Sequence, residues 1–182
     1  SFHMLVARRE HGELRVIDRI KEMVRLGGGL DGRGRLDPAV QDAALECLVR
    51  FGQRLRGIPP DNIRAVGTQT LRRMHNVNAF LLRAETALGC PVDIISGREE
   101  ARLIYLAVSQ GVAGHEEQRL VVDIGGGSTE WAIGLGLEPL EIESLQFGCV
   151  TLTKRFFGNG RMTRHRWDKA VSTILAETQE LQ

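Results

Sequence analysis

The stretch Leu120-Val121-Val122-Asp123-Ile124-Gly125-Gly126-Gly127-Ser128-Thr129-Glu130 decides how the rest of the chain is read. Its β-branched apolar opening has the pattern of a buried strand. One carboxylate, Asp123, interrupts that run. Asp is a poor strand residue, and burying its charge is costly without a cation or donors beside it. Three glycines follow. Without Cβ atoms they let the main chain turn tightly and bring its N–H groups close to a ligand. A row of such N–H groups makes a concave anion site, to which the Ser128 and Thr129 hydroxyls add donors. Thr129 to Gly134 then has the pattern of a returning strand carrying a second carboxylate, Glu130. A carboxylate beside a phosphate cradle implies a bridging cation, Mg²⁺ before others. The same residues also suit a Gly-rich hairpin turn beside a satisfied Asp, and a short motif alone does not separate the two.

The chain around this stretch has 182 residues, enough for one large domain or two small ones. Apolar residues make up 42% and charged residues 26%, the balance of a soluble globular protein. The formal net charge of +1 gives no reason to expect nucleic-acid binding, so any polyanion site must be a local arrangement. Cys47, Cys90 and Cys149 form no Cys-x-x-Cys pair and are read as reduced core residues of a cytoplasmic protein. The five histidines lack zinc-ligand spacing. No apolar run is long enough to span a bilayer and no signal peptide is recognised, so no membrane partner is expected.

Upstream, residues 4–9 read as a strand, Glu10 to Glu13 as its turn, and Leu14 to Leu26 as one or two returning strands. Gly27 to Gly34 is a flexible connector by composition, or a flap offering Arg33 and Arg35 to an anion. Asp37-Pro38 opens a helix with an N-cap and a first-turn proline. Its inward face is Val40, Ala43, Ala44, Cys47, Leu48, Phe51 and Leu55, and Gly57 ends it. Ile63 to Val66 is a short strand running into Gly67-Thr68-Gln69-Thr70-Leu71-Arg72-Arg73. A strand end opening into a helix there points N–H groups at an anion, and Arg72 could grip phosphate in a bidentate way. An ordinary threonine N-cap with a surface Arg fits as well. Asn78 to Leu88 is a further helix ended by Gly89, and Val92 to Ile95 another strand.

The third chemical stretch, Ile94 to Ile104, reads as strand, turn and a helix to about Gln110, capped by Ser96. Acids in its first turn suit the helix dipole without further purpose. Helical geometry puts Glu99 with Arg102, Ser109 and Gln110 on a polar face, and Glu100 with Leu103, Ile104 and Ala107 on an apolar one. A carboxylate on an apolar face needs a reason, which makes Glu100 the better catalytic candidate. Beyond the glycine motif, Leu137 to Leu145 reads as a strand and Gln146 to Thr151 as a turn into a helix reaching about Phe157. Thr163 caps a last helix with Trp167, Ala170, Val171, Ile174 and Leu175 inward.

Taken in order, Gly67-Thr-Gln-Thr-Leu-Arg72, Ile95-Ser-Gly-Arg-Glu-Glu-Ala-Arg-Leu-Ile104, Val122-Asp-Ile-Gly-Gly-Gly-Ser-Thr-Glu130 and Phe147-Gly-Cys-Val150 closely resemble the exopolyphosphatase and guanosine pentaphosphate phosphohydrolase family. The resemblance covers essentially the whole chain. It implies an α/β, ribonuclease-H-like fold of the actin, Hsp70 and sugar-kinase superfold. The first lobe would be about 1–103, and a second, incomplete lobe would span 104–182. It further implies stepwise Mg²⁺-assisted hydrolysis of terminal phosphate from inorganic polyphosphate, or of the 5′ γ-phosphate of guanosine pentaphosphate in the stringent response. Carried over by position, Glu100 resembles the base that activates water, and Asp123 and Glu130 resemble metal-binding and catalytic carboxylates. Gly125, Gly126, Gly127, Ser128 and Thr129 resemble the phosphate loop, and Arg72 a phosphate ligand. The Gly125-Gly126-Gly127 loop leans towards exopolyphosphatases, whereas Gly89-Cys90-Pro91 leans towards the pentaphosphatases. Relatives often form homodimers.

In relatives, an Asp-Leu-Gly-Ser-Asn loop precedes Ser-Phe-His, and further chain completes the second lobe. These 182 residues by themselves are therefore expected to hydrolyse polyphosphate feebly or not at all. Two other classes fit the same fold. An ATP-dependent phosphotransferase lacks an adenosine motif here, and a non-catalytic polyphosphate or alarmone sensor would have no use for the full set of carboxylates. The enzymatic reading requires Glu100, Asp123 and Glu130 to share one groove.

Overall fold

In the computed structural model, which describes residues 1–114 and 117–179, the chain opens as a hairpin. Strands β1 (Phe2–Glu10) and β2 (Glu13–Glu22) pair antiparallel across His11 and Gly12, whose φ angles are 54° and 88°. Two residues of positive φ give the turn whose twist matches its strands. The glycine-rich connector that follows is folded. Leu26–Gly29 forms a 3₁₀ turn and Leu30 bridges Leu36. The Asp31 carboxylate accepts from the main-chain N–H groups of Arg33 and Arg35, both at 2.9 Å, and from Arg35 Nε at 2.8 Å. Arg35 is thus engaged inside its own loop.

Helix α1 (Pro38–Leu55) starts as its sequence dictates. The Asp37 carboxylate accepts from Ala39 N and Val40 N at 2.9 and 3.1 Å, and Pro38 takes the first turn. Such a cap contributes about 1 kcal/mol. Ala44, Cys47 and Phe51 are buried on α1, and Phe80, Ala84 and Leu88 on α3 (Val77–Leu88). These residues, with Met4, Leu26, Leu45, Leu71 and Met74, build the core of a first compact unit, Ser1–Ile94. Burial pushes the Cys47 and Cys90 thiols above their ordinary pKa.

Strands β3 (Val66–Gly67) and β4 (Asp93–Ile94) form a parallel pair of two residues each, shorter than the 63–66 and 92–95 expected. A 3₁₀ turn at Pro60–Asn62 and helices opening soon after each strand leave no more room. Helix α2 (Gln69–Arg72) follows β3, and α4 (Gly97–Gly111) follows β4.

The second compact unit, Ile95–Gln182, is a three-stranded antiparallel sheet with helices. Its order is β5 (Gln118–Ile124), β6 (Thr129–Leu135), β7 (Glu138–Leu145), followed by α5 (Cys149–Phe157) and α6 (Arg164–Glu177). Helix α4 covers one sheet face, where Tyr105 packs on Val121 and Ala132, with Ile104 and Ile142 beside them. Side chains alternate across a strand, so Asp123, Glu130 and Ser144 lie on this same face. The Tyr105 hydroxyl donates to Gly136 O at 3.1 Å. Its ring lies where a Cβ on Gly134 would approach the phenol carbon and oxygen to 2.6 Å, so only glycine fits there.

Four expectations are corrected here. The apolar opening of β5 is not buried: Leu120, Val122 and Ile124, on the face away from α4, are 60%, 51% and 68% exposed. Helix α4 buries Ala101, Tyr105 and Ser109 in place of the Glu100, Leu103, Ile104, Ala107 face. A tyrosine four residues from an alanine and a serine set the inward stripe, and small Ser109 is fully buried despite its hydroxyl. Helix α6 buries Ala170 but leaves Trp167, Val171 and Leu175 exposed. Its neighbour is α5, through Phe157 and Trp167 rings 6.4 Å apart. Cys149 is exposed, because it stands in the first turn of α5. Among the described residues no helix is long and apolar enough to cross a membrane.

Candidate functional site

The site is built on one hairpin end of the second unit. In the β5–β6 register Asp123 faces Glu130, and Ile124 faces Thr129. Gly125 to Ser128 closes the strands, with Gly125 N–H donating to Ser128 O at 3.0 Å. The two carboxylates therefore stand on neighbouring strands, on one face, at the mouth of the glycine loop. Their environments differ. Asp123 is exposed at its strand end, whereas Glu130 is only 2% exposed. Across the β6–β7 pair Ser144 faces Glu130, and its hydroxyl donates to Glu130 Oε1 at 2.9 Å. A buried carboxylate is costly without a cation or further donors beside it.

Ser128 and Thr129 are buried in the loop. The Thr129 hydroxyl donates to Phe147 O at 2.8 Å, so it braces the structure and does not face outward as a ligand donor. The far side of the loop is tied to α5. Cys149 N–H donates to Gly125 O at 2.9 Å, and the N–H groups of Val150 and Thr151 donate to Gly126 O at 2.9 and 3.1 Å. Gly148 makes that approach possible. A Cβ there would meet Gly125 O at 2.4 Å and Gly127 N at 2.7 Å.

Glu100 lies in the first turn of α4, half-buried, with its N–H on Ser96 O at 2.9 Å. The Ser96 hydroxyl accepts from Glu99 N–H at 3.1 Å, the cap expected from sequence. Arg98 pairs with Glu143 at 3.1 Å, one residue from Ser144, while Tyr105 reaches Gly136. Helix α4 thus runs along the sheet with its acidic first turn at the Glu130 end. Glu99 is engaged elsewhere: Arg102 Nε and Nη2 grip its carboxylate at 2.8 and 2.7 Å and hold it below the usual carboxylate range. That leaves Glu99 in the surface role its face suggested.

Arg72 ends α2 in the first unit. Leu71 and Arg72 N–H groups both bond Thr68 O, and Thr68 makes no side-chain cap. Gly67 sits under Leu71, where a Cβ would come within 2.2 Å of Leu71 Cδ1.

Sequence reasoning missed Ser144 and gave the Phe147–Val150 stretch no role. A serine in a strand carries no signal of its own until the register sets it opposite a buried acid. The glycine at 148, flanked by a strand and a helix, was the one available sign of a close backbone approach.

Two carboxylates on one face suit a hard cation that completes its shell with waters and substrate phosphate. Among the described residues no three His, Cys, Asp or Glu side chains converge on one metal position, so Glu100 does not form a three-acid cage with Asp123 and Glu130.

Comparison with solved structures finds the same architecture. A PPX-GPPA enzyme of Aquifex aeolicus is 28% identical with a TM-score of 0.81, over 99% of this chain and 60% of that one. An exopolyphosphatase-like protein is 28% identical with a TM-score of 0.88, over 98% of this chain and 57% of that one. An exopolyphosphatase from Cytophaga hutchinsonii is 30% identical with a TM-score of 0.78, over 85% of this chain and 49% of that one. A PilM–PilN pilus complex, at 15% identity and a TM-score of 0.54, shares the fold alone. The fold is the ribonuclease-H-like one of the actin, Hsp70 and sugar-kinase group. The chain spans about three fifths or less of the length of these relatives. A family model covers residues 5–182, and the chain belongs to the Ppx/GppA phosphatase family.

Proposed function

We propose that the complete protein removes terminal phosphate from inorganic polyphosphate by attack of water. The observation that carries this reading is the pairing of Asp123 with Glu130 across the mouth of the Gly125–Ser128 turn, with Glu130 buried against the Ser144 hydroxyl. In this reading Asp123 and Glu130 hold Mg²⁺, which when bound offsets the negative charge of phosphate oxygens. Main-chain N–H groups of Gly126 and Gly127 receive the terminal phosphate, while the Gly125 N–H closes the turn on Ser128 O. A phosphate-ligand role for Arg72 is carried by the sequence resemblance alone. Glu100 orients the attacking water and takes its proton. A departing phosphoryl group needs little covalent help, so positioning and charge neutralisation supply most of the rate.

The test uses the complete protein. Glu100→Gln is expected to retain polyphosphate binding while hydrolysis falls by a factor of about 10²–10⁴, the usual contribution of a positioned base. Retained hydrolysis in that variant would remove Glu100 from the mechanism. Absence of hydrolysis in the unaltered complete protein, with binding intact, would favour a polyphosphate sensor. Guanosine pentaphosphate is the second substrate of this reading, carried by the sequence resemblance. Relative kcat/KM on the two substrates assigns the preference.

A further inference from the structure

The helix that follows the sheet does not offer its own N-terminus to a ligand. Its first three N–H groups are consumed by the glycine loop: Cys149 on Gly125 O, and Val150 and Thr151 on Gly126 O. A trans peptide is planar, with its N–H pointing opposite to its C=O. Fixing Gly125 O towards α5 therefore aims the Gly126 N–H away from α5. Fixing Gly126 O aims the Gly127 N–H the same way. The partial positive charge of the α5 N-terminus is handed through two peptide dipoles to the far side of the loop.

The helix turn is itself pinned. The Thr151 hydroxyl accepts from Gly148 N–H at 2.8 Å and donates to Gly148 O at 3.0 Å. Phe147 O accepts from the Thr129 hydroxyl, and Ser144 bonds Glu130. One continuous segment, residues 144–151, thus touches both the loop and the buried carboxylate from behind.

We propose that residues 144–151 are a positioning strap with two separable outputs: Gly148 and Thr151 set the direction of the loop amides towards an anion, and Ser144 sets the Glu130 carboxylate towards a cation. This rests on the reading of Gly125–Ser128 as a phosphate cradle. None of the strap's side chains is assigned to touch substrate. Gly148 acts by its lack of a Cβ, since any side chain would push α5 off the loop.

The experiment measures inorganic phosphate and Mg²⁺ binding separately, by calorimetry, with the complete protein carrying Gly148→Ala, Thr151→Val, Thr151→Ser or Ser144→Ala. Gly148→Ala and Thr151→Val are expected to weaken phosphate binding about ten-fold, the scale of one or two misdirected hydrogen bonds to a charged group, and to leave Mg²⁺ affinity within two-fold. Thr151→Ser, which keeps the hydroxyl, restores phosphate binding. Ser144→Ala shows the converse pattern: weaker Mg²⁺ binding and unchanged phosphate affinity. Selective ¹⁵N-glycine labelling adds a readout independent of affinity, because the phosphate-induced shifts of Gly126 and Gly127 shrink in Gly148→Ala and Thr151→Val and are kept in Thr151→Ser and Ser144→Ala. Should Gly148→Ala fail to fold, the Thr151 pair decides. Equal losses of both ligands in every variant would mean general support and overturn the proposal, as would no loss in any. If the unaltered protein binds no phosphate, the cradle reading fails with it. If the unaltered protein binds phosphate and Thr151→Val binds it equally well, the strap alone fails.

Discussion

The two glycine-rich stretches, Gly27–Gly34 and Gly125–Gly127, look alike in composition and differ in where their polar groups go. The first closes on itself: Asp31 gathers the N–H groups of Arg33 and Arg35 and the Arg35 guanidinium. It is docked through Gly34, whose O accepts from His75 N–H at 2.7 Å. The second keeps few bonds within itself and is fastened from outside, carbonyl by carbonyl, to α5. A loop that spends its acid on its own amides is scaffold. A loop that turns two successive carbonyls, Gly125 O and Gly126 O, to one side aims the N–H groups of those two peptides to the other, and two carboxylates flank it.

The sharpest way to break the comparison is to remove charge from each loop in the complete protein. Asp123→Asn or Glu130→Gln is expected to cut polyphosphate turnover by about 10²-fold or more, the order associated with losing one preorganised electrostatic contact. Arg33→Ala with Arg35→Ala should leave kcat/KM within two-fold. Comparable losses from both would make the first loop a ligand flap after all.

A smaller effect is expected from Gly34→Ala. At φ +74° a Cβ is strained, and it would meet Arg73 O at 2.4 Å. The expected cost is about 1–3 kcal/mol, read as a lower melting temperature with no change in phosphate affinity. The pH response is subtler. The N–H of Arg35, then its guanidinium, hold the Asp31 carboxyl below its ordinary pKa. A lowered native value means that the loop's support is complete above the unfolded carboxylate pKa and fades as pH falls through the lowered one. A ¹³C titration of Asp31 should show the depressed midpoint, and Arg35→Ala should raise it. The smallest effect is on stability in that same variant. An ion pair exposed as this one is contributes little, so melting should barely shift.

Much of this was legible beforehand because local chemistry controlled it. Asp37-Pro38, Ser96, Thr163 and Gly89 mark helix ends through bonds made within a few residues, and the structure has each one. The β5–turn–β6 hairpin followed from a β-branched apolar run and three glycines. What sequence could not supply was coverage. The apolar run of β5 has the composition of a buried strand whether or not a layer lies on its second face. Likewise Leu103 and Ala107 are apolar, yet Tyr105 and Ala101 take the inward stripe because the sheet leaves a notch at Gly134 for a ring. Ser144 is invisible for a further reason: its meaning comes from register, and register is a property of two strands together.

That notch has a mechanical consequence. Tyr105 is a peg in a socket, seated against Gly134 and tethered to Gly136, so α4 cannot slide along the sheet without unseating a fully buried ring. Glu100 rides on that helix, and Asp123 and Glu130 ride on the strands beneath it. Motion of this unit as a body would carry all three acids as one rigid cargo, with their mutual spacing unchanged.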